Sequence, residues 1–202
     1  MKQIAITTEN IFAGEADALN MLFGAGLELL HIRKPRSAYS ELGELLKDID
    51  NKYYKRIVMH DHFGLVSVLN LKGFHLNGRN PEAPKGSAGL SVSRSCHSLE
   101  EVVDAGNCDY VFLSPVFDSI SKAGYTRGFT PEQLECARDE GIINERVIAL
   151  GGINGEAIPL VREYGFGGIA VLGALWGGPV WDGNKETLMG RYKYLQEMID
   201  RV

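Results

Sequence analysis

The sequence predicts an α/β protein built as an eightfold parallel (β/α) barrel, and three observations carry that prediction. Eight short runs rich in Ile, Val and Leu recur along the chain; longer segments with helical periodicity separate most of them; and polar residues gather where the runs end. Parallel strands covered on both faces read as continuous apolar runs, and their alternation with helices marks βα units. The runs are residues 3–7, 27–32, 56–60, 73–76, 89–93, 110–114, 147–150 and 168–172. A doubly wound open sheet is the structural rival, but no Gly-x-Gly-x-x-Gly follows an early strand. Eight units in 202 residues suit one domain spanning 1–202 and closed as a TIM (β/α)8 barrel.

Helix signals follow in order. Ser98-Leu99-Glu100-Glu101 reads as a capping box, and Thr130-Pro131-Glu132-Gln133 adds proline at the first helical position. Apolar residues at helical spacing over 188–199 predict a closing helix. Residues 77–88, rich in Gly, Pro and Ala, predict a degenerate helix after strand 4. Pro159 sits awkwardly in the first turn of the seventh helix, and whether Trp176 and Trp181 line a pocket or merely pack is open.

Composition narrows the function classes. A hydrophobic fraction of 45% supports a large core, and a net charge of −5 argues against non-specific nucleic-acid binding. The three cysteines form no metal or disulfide spacing, which predicts a reduced, cytoplasmic setting. The start of the chain lacks the pattern of a signal peptide, and no apolar stretch reaches membrane-spanning length, so no membrane association is expected. A C2 homodimer is the default expectation for assembly.

In a barrel, chemistry gathers at the C-terminal ends of the strands. All five histidines, His31, His60, His62, His75 and His97, fall at or just after strand ends, together with Arg33, Lys34, Asp61, Arg94 and Gly151-Gly152. Each histidine alone could be a hydrogen-bonded core residue; together they predict one polar rim. His60 and His62 could share a strand face as metal ligands, although spacing identifies no third ligand. Asp61 suits a Mg2+ contact, because Mg2+ takes one or two carboxylates and completes its shell with phosphate and water.

The last two units carry a phosphate signal. Gly151 and Gly152 follow the seventh strand, and Val171-Leu172-Gly173 follows the eighth. Glycine permits close backbone approach, and N–H groups at a following helix start are ready donors to an anion. The long loop from Pro115 to Phe129 holds Ser119, Ser121 and Lys122 ahead of Gly124 and Gly128 as candidate hinges; it could fold over an anion, while composition alone reads as a solvated surface loop.

Taken in order, these segments resemble the thiamine phosphate synthase/TenI family over nearly the whole chain. The resemblance lies in His31-Ile32-Arg33 after the second strand, His60-Asp61-His62 after the third and Gly73-Phe74-His75-Leu76. It continues through Ser95-Cys96-His97-Ser98 with Glu100-Glu101, Pro115-Val116-Phe117 through Ser119, Ser121 and Lys122, and the closing Ala149–Ile153 and Ile169–Val171 segments. It implies a transferase joining hydroxymethylpyrimidine diphosphate to thiazole phosphate. Arg33 and Lys122 would hold the pyrophosphate with Ser119 and Ser121, while His60 would line the substrate site. Gly151, Gly152, Val171, Leu172 and Gly173 would cradle the thiazole phosphate. Mg2+ would sit at Asp61 and Asn80, the latter replacing an aspartate of the synthases. Lys34 would partly stand in for the motif lysine that Pro35 displaces. The resemblance equally implies two alternatives: a metal-independent TenI-like thiazole tautomerase, with His31 or His97 as acid or base, and a non-catalytic thiazole-phosphate-binding regulator. A phosphosugar isomerase on the same fold is the residual alternative.

Overall fold

The computed structural model describes residues 1–118, 128–178 and 180–201. Eight parallel strands close a barrel in sequence order: β1 (Lys2–Ile6), β2 (Leu29–Ile32), β3 (Ile57–Met59), β4 (Gly73–Leu76), β5 (Ser91–Cys96), β6 (Tyr110–Leu113), β7 (Val147–Leu150) and β8 (Gly168–Val171). Closure is made by β1, which pairs with β2 through Ile4↔Leu29 and with β8 through Ile4↔Ala170.

Helices cover the outside: α1 (Glu15–Gly24), α2 (Tyr39–Lys47), α3 (Gly64–Val68), α4 (Leu99–Asp104), α5 (Pro131–Asp139), α6 (Ile158–Glu163), α7 (Gly173–Trp176) and α8 (Lys185–Asp200). The expected degenerate unit is present, since no helix lies between β4 and β5. Thr130 and Gln133 make the reciprocal capping box that starts α5. Ser98 caps α4 through the Glu101 amide, but the Glu101 carboxylate reaches one residue further back, to the His97 N–H at 2.7 Å. Pro159 is well placed: it lies in the first two positions of α6, where its missing N–H has no helical acceptor to lose.

Side chains alternate along each strand, so one set faces the helices and the other fills the barrel. The inward apolar set includes Ile4, Ile6, Leu29, Val58, Phe112 and Ile148. The polar rim expected for all five histidines is corrected here. His31 and His75 lie within β2 and β4 and are fully buried. His62 turns away after β3 with φ 51°, its Nε2 2.8 Å from the Ser37 carbonyl, so it shares no site with His60. Strand β5 runs further than its apolar run because its inward face is polar: Ser93 and Ser95 bond the two ring nitrogens of His75, each at 2.8 Å.

Lys34 is a second correction. Its side chain is 0% exposed and donates to both Glu15 carboxylate oxygens at 2.6 and 2.9 Å and to the Asn10 carbonyl at 2.7 Å. Burial raises the Glu15 carboxyl and lowers the Lys34 ammonium, while each partner's charge opposes the shift. All three ammonium protons are thereby engaged beneath β2. Lys34 ties α1 to the barrel and cannot stand in for a substrate-binding lysine.

Candidate active site

A cavity of about 490 Å³ opens at the C-terminal end of the barrel. Of the residues expected at one mouth, it is lined by Arg33, His60, His97, Gly151, Gly152, Val171, Leu172 and Gly173. Ser119, Ser121 and Lys122 lie outside the described residues. The two ends of their loop are fixed at this mouth, because Gly128 N–H donates to the Pro115 carbonyl at 2.9 Å and Pro115 lines the cavity.

The glycine turns after β7 and β8 owe their shape to two contacts. Gly151 and Gly152 have φ of 93° and 67°, and the chain after β6 lies directly on them, with Val116 N–H on the Leu150 carbonyl and Phe117 N–H on the Gly151 carbonyl. A Cβ at Gly152 would stand 2.6 Å from the Asp118 carbonyl oxygen. On the other side, Trp176 is buried and its Nε1–H donates to the Ile6 carbonyl at 2.8 Å, which seats the single turn of α7 over the end of β1. The first N–H groups of that turn have no intrahelical acceptor, and Gly173 and Ala174 line the mouth. Trp176, Trp181 and Phe12 therefore pack against one another, and Trp176 positions the turn after β8.

Arg33 enters from the end of β2. Its backbone N–H is held by the Thr7 hydroxyl at 3.0 Å, and its guanidinium meets Glu9 at 2.7 Å. His97, after β5, also lines the rim, where its Nδ1 approaches the Ser114 carbonyl at 2.9 Å. A carbonyl only accepts, so this contact places the proton on Nδ1 and leaves Nε2 as a base.

Below the mouth lies a stack of three buried histidines. His31 bonds His60 (Nδ1 to Nε2, 2.9 Å) and the Tyr110 hydroxyl (Nε2 to Oη, 2.7 Å), and the His60 and His75 rings stack at 4.2 Å and 24°. Burial drives all three toward the neutral form: His31 and His60 are pushed well down, with neighbouring imidazoles adding to the effect, and His75 falls to about 3. Their ring nitrogens lie within 4.8 Å of one another, close enough in principle for a metal. The stacking rules against one, since an ion sits near the plane of each imidazole it binds and two near-parallel planes cannot share it. The cluster is a hydrogen-bonded core. His31, expected as an acid or base, is sealed in it one layer beneath the mouth, and only His60 reaches the cavity.

Comparison with known proteins decides which barrel this is. The sequence model of the thiamine monophosphate synthase family, TMP-TENI, matches residues 4–175. The chain belongs to that family. A thiamine phosphate pyrophosphorylase from Bacteroides thetaiotaomicron superposes with a TM-score of 0.89 at 40% identity, over 99% of this chain and 98% of that one. The thiamine-phosphate synthase of Syntrophomonas wolfei is 25% identical over 174 residues, 81% of each chain. A thiamine phosphate pyrophosphorylase from Pyrococcus furiosus, at 22% identity and a TM-score of 0.75 over 99% of this chain and 96% of that one, shares the fold. No helix among the described residues is long and apolar enough to cross a membrane.

Against this thiamine monophosphate synthase background, the residues at Asp61 and Asn80 do not fit the expected Mg2+. The two do come together, but the Asn80 amide nitrogen donates to Asp61 Oδ1 at 3.3 Å and to the His60 carbonyl at 3.0 Å. Flipping the amide would set its oxygen against two acceptors, so its orientation is determined. Asp61 is also held by Arg79, from Nε to Oδ1 at 3.1 Å and from Nη2 to Oδ1 and Oδ2 at 3.0 and 3.2 Å. The expected metal pair is thus one carboxylate already ringed by donors. Mg2+ demands open oxygen ligands in near-octahedral array, which this set does not supply.

Sequence reasoning missed Arg79, Asn77 and Ser95, all of which line the mouth. Arg79 lies three residues after the end of β4, and Ser91, Ser93 and Ser95 alternate along β5; those were the available signals.

Proposed function

We propose that this chain joins a hydroxymethylpyrimidine diphosphate to a thiazole phosphate, releasing pyrophosphate and forming thiamine phosphate. The observation that carries the reading is the mouth itself, where the glycine turns after β7 and β8 face guanidinium groups across one cavity. Two anionic ends with a gap between them suit two phosphorylated reactants. The pyrimidine methylene–oxygen bond breaks, its electron pair leaves with pyrophosphate, and the thiazole nitrogen lone pair forms the new C–N bond. Such a reaction calls for charge stabilisation at the leaving group and orientation of the nucleophile, and for no protein nucleophile.

On this reading Gly152 and Gly173 hold the thiazole phosphate through backbone N–H groups. Arg33 meets the diphosphate, with Ser119, Ser121 and Lys122 proposed to close over it. His60, held neutral, offers a ring nitrogen to the bound heterocycles without placing a cation beside the pyrimidine cation. The free thiols of Cys96, Cys108 and Cys136 support a reducing, cytoplasmic setting.

One observation favours a second reading. His97 Nε2, free to act as a base on the rim of a site whose carboxylate is already engaged, suits a metal-independent isomerisation of a thiazole carboxylate phosphate. A paired assay separates the two. Coupling of both precursors, with pyrophosphate released, is the expected result; turnover of the thiazole carboxylate phosphate alone, lost in His97→Ala, would replace the first reading with the second.

A further inference from the structure

The chain places a built-in cation beside Asp61 and Asn80, where the sequence resemblance implied a metal ion. Arg79 sits at the tip of a four-residue turn whose ends are tied in both directions, Asn77 N–H to the Asn80 carbonyl at 3.0 Å and Asn80 N–H to the Asn77 carbonyl at 2.9 Å. The Asn77 side chain accepts the Arg79 N–H at 3.0 Å and anchors the turn by donating to the His60 and His75 carbonyls at 2.9 and 3.0 Å. The backbone under Arg79 is therefore fixed to the ends of β3 and β4.

The guanidinium is fixed as well. Nε and Nη2 grip Asp61, and Nη1 takes no part in that grip. Arg79 is 44% exposed in its side chain and lines the cavity, whereas Asp61 is 11% exposed and does not. An anion entering the mouth thus meets the guanidinium with the carboxylate behind it. The charge balance is the same as for a metal site: one carboxylate and one guanidinium sum to zero, as two carboxylates and Mg2+ do. A planar fork with donors to spare also matches phosphate geometry.

We propose that Arg79, braced by Asp61, is the permanent cation that receives the diphosphate, so that this chain binds and releases pyrophosphate without a divalent metal. The proposal deepens the transferase reading and rests on it for the identity of the anion. Its test does not depend on turnover.

The test is calorimetric titration of the protein with inorganic pyrophosphate, in EDTA and in excess Mg2+. Binding in EDTA is expected, and excess Mg2+ weakens it by sequestering free pyrophosphate. Arg79→Ala should weaken binding in EDTA about a hundredfold. Arg79→Lys keeps the charge, loses the fork and should fall between. Arg79→Gln with Asn80→Asp restores a pair of carboxylates and should bind pyrophosphate only with Mg2+. Binding by the unaltered protein that requires Mg2+ overturns the proposal, as does equal affinity of Arg79→Ala and the parent. Failure to couple the two precursors, with metal-free pyrophosphate binding intact, removes the transferase reading and leaves the anion site standing.

Discussion

Between pH 7 and pH 5 the fold is expected to lose about 2 kcal/mol of stability from His75 alone, with buried His31 and His60 acting in the same direction. His31, His60 and His75 stay neutral in the folded chain, and an unfolded chain protonates them near the ordinary value of 6.5. The sign follows from proton counting. Below 6.5 the unfolded state holds more protons than the native state, so stability falls as pH falls, until the native histidines themselves titrate, His75 at about 3 and His31 and His60 well below their ordinary value. Among the described residues no carboxylate offsets the cost of a charge there. Tyr110, Ser93 and Ser95 occupy its hydrogen bonds, and Arg33 and Arg79 repel a cation at His60. Urea unfolding at the two pH values measures the loss, and NMR imidazole shifts that stay at neutral values in the native protein at pH 5 assign it. Equal stability at pH 7 and pH 5 would show that the cluster takes up protons readily. Since typical domains are stable by only about 5–15 kcal/mol, the interior polar stack makes this barrel sensitive to acid.

Gly152→Ala is expected to lower kcat/KM for the thiazole phosphate about a hundredfold, with a smaller effect on the pyrimidine diphosphate. The backbone at Gly152 has φ 67°, where an L side chain costs about 1–2 kcal/mol. Space is the larger obstacle. The new Cβ would lie 2.6 Å from the Asp118 carbonyl oxygen and 2.7 Å from Phe117 backbone and side-chain atoms, so the chain after β6 must lift off the turn after β7. Both segments border the cavity, and a shift of about 1 Å there is enough for a loss of that size. Gly190→Ala serves as the control, because a Cβ at that helical position meets nothing within 4 Å. A Gly152→Ala enzyme with parental kinetics on the thiazole phosphate would mean that the phosphate binds elsewhere.

The parts of the molecule that were legible in the sequence are those set by local pattern. The strands over 73–76 and 147–150 coincide with the observed β4 and β7, because each is an apolar run bounded by polar or glycine residues. The missing helix after β4 and the Thr130 cap were readable for the same reason. Facing direction was not. His31 and His75 stand at the ends of apolar runs and read as rim residues, but strand alternation turns both into the barrel, where Tyr110, Ser93 and Ser95 satisfy them. Those partners lie 79, 18 and 20 residues away in sequence. The same limit hid the role of Lys34, a loop residue after β2 that is paired in the interior with Glu15 of α1. Arg79 was passed over because the family pattern drew attention to its neighbour Asn80, whereas only the three-dimensional contact with Asp61 reveals that the two positions act together.

The central claim is that one mouth holds two anions, one on the glycine turns and one on the arginines. A crystal structure of the protein with thiamine phosphate and pyrophosphate, grown in EDTA, tests it most directly. The account predicts the thiamine phosphate group within hydrogen-bond distance of the Gly152 and Gly173 amides, and pyrophosphate against the Arg33 and Arg79 guanidiniums with no ion between pyrophosphate and Asp61. Either anion bound instead at the opposite end of the barrel, beside Lys2 and Lys72, would contradict it.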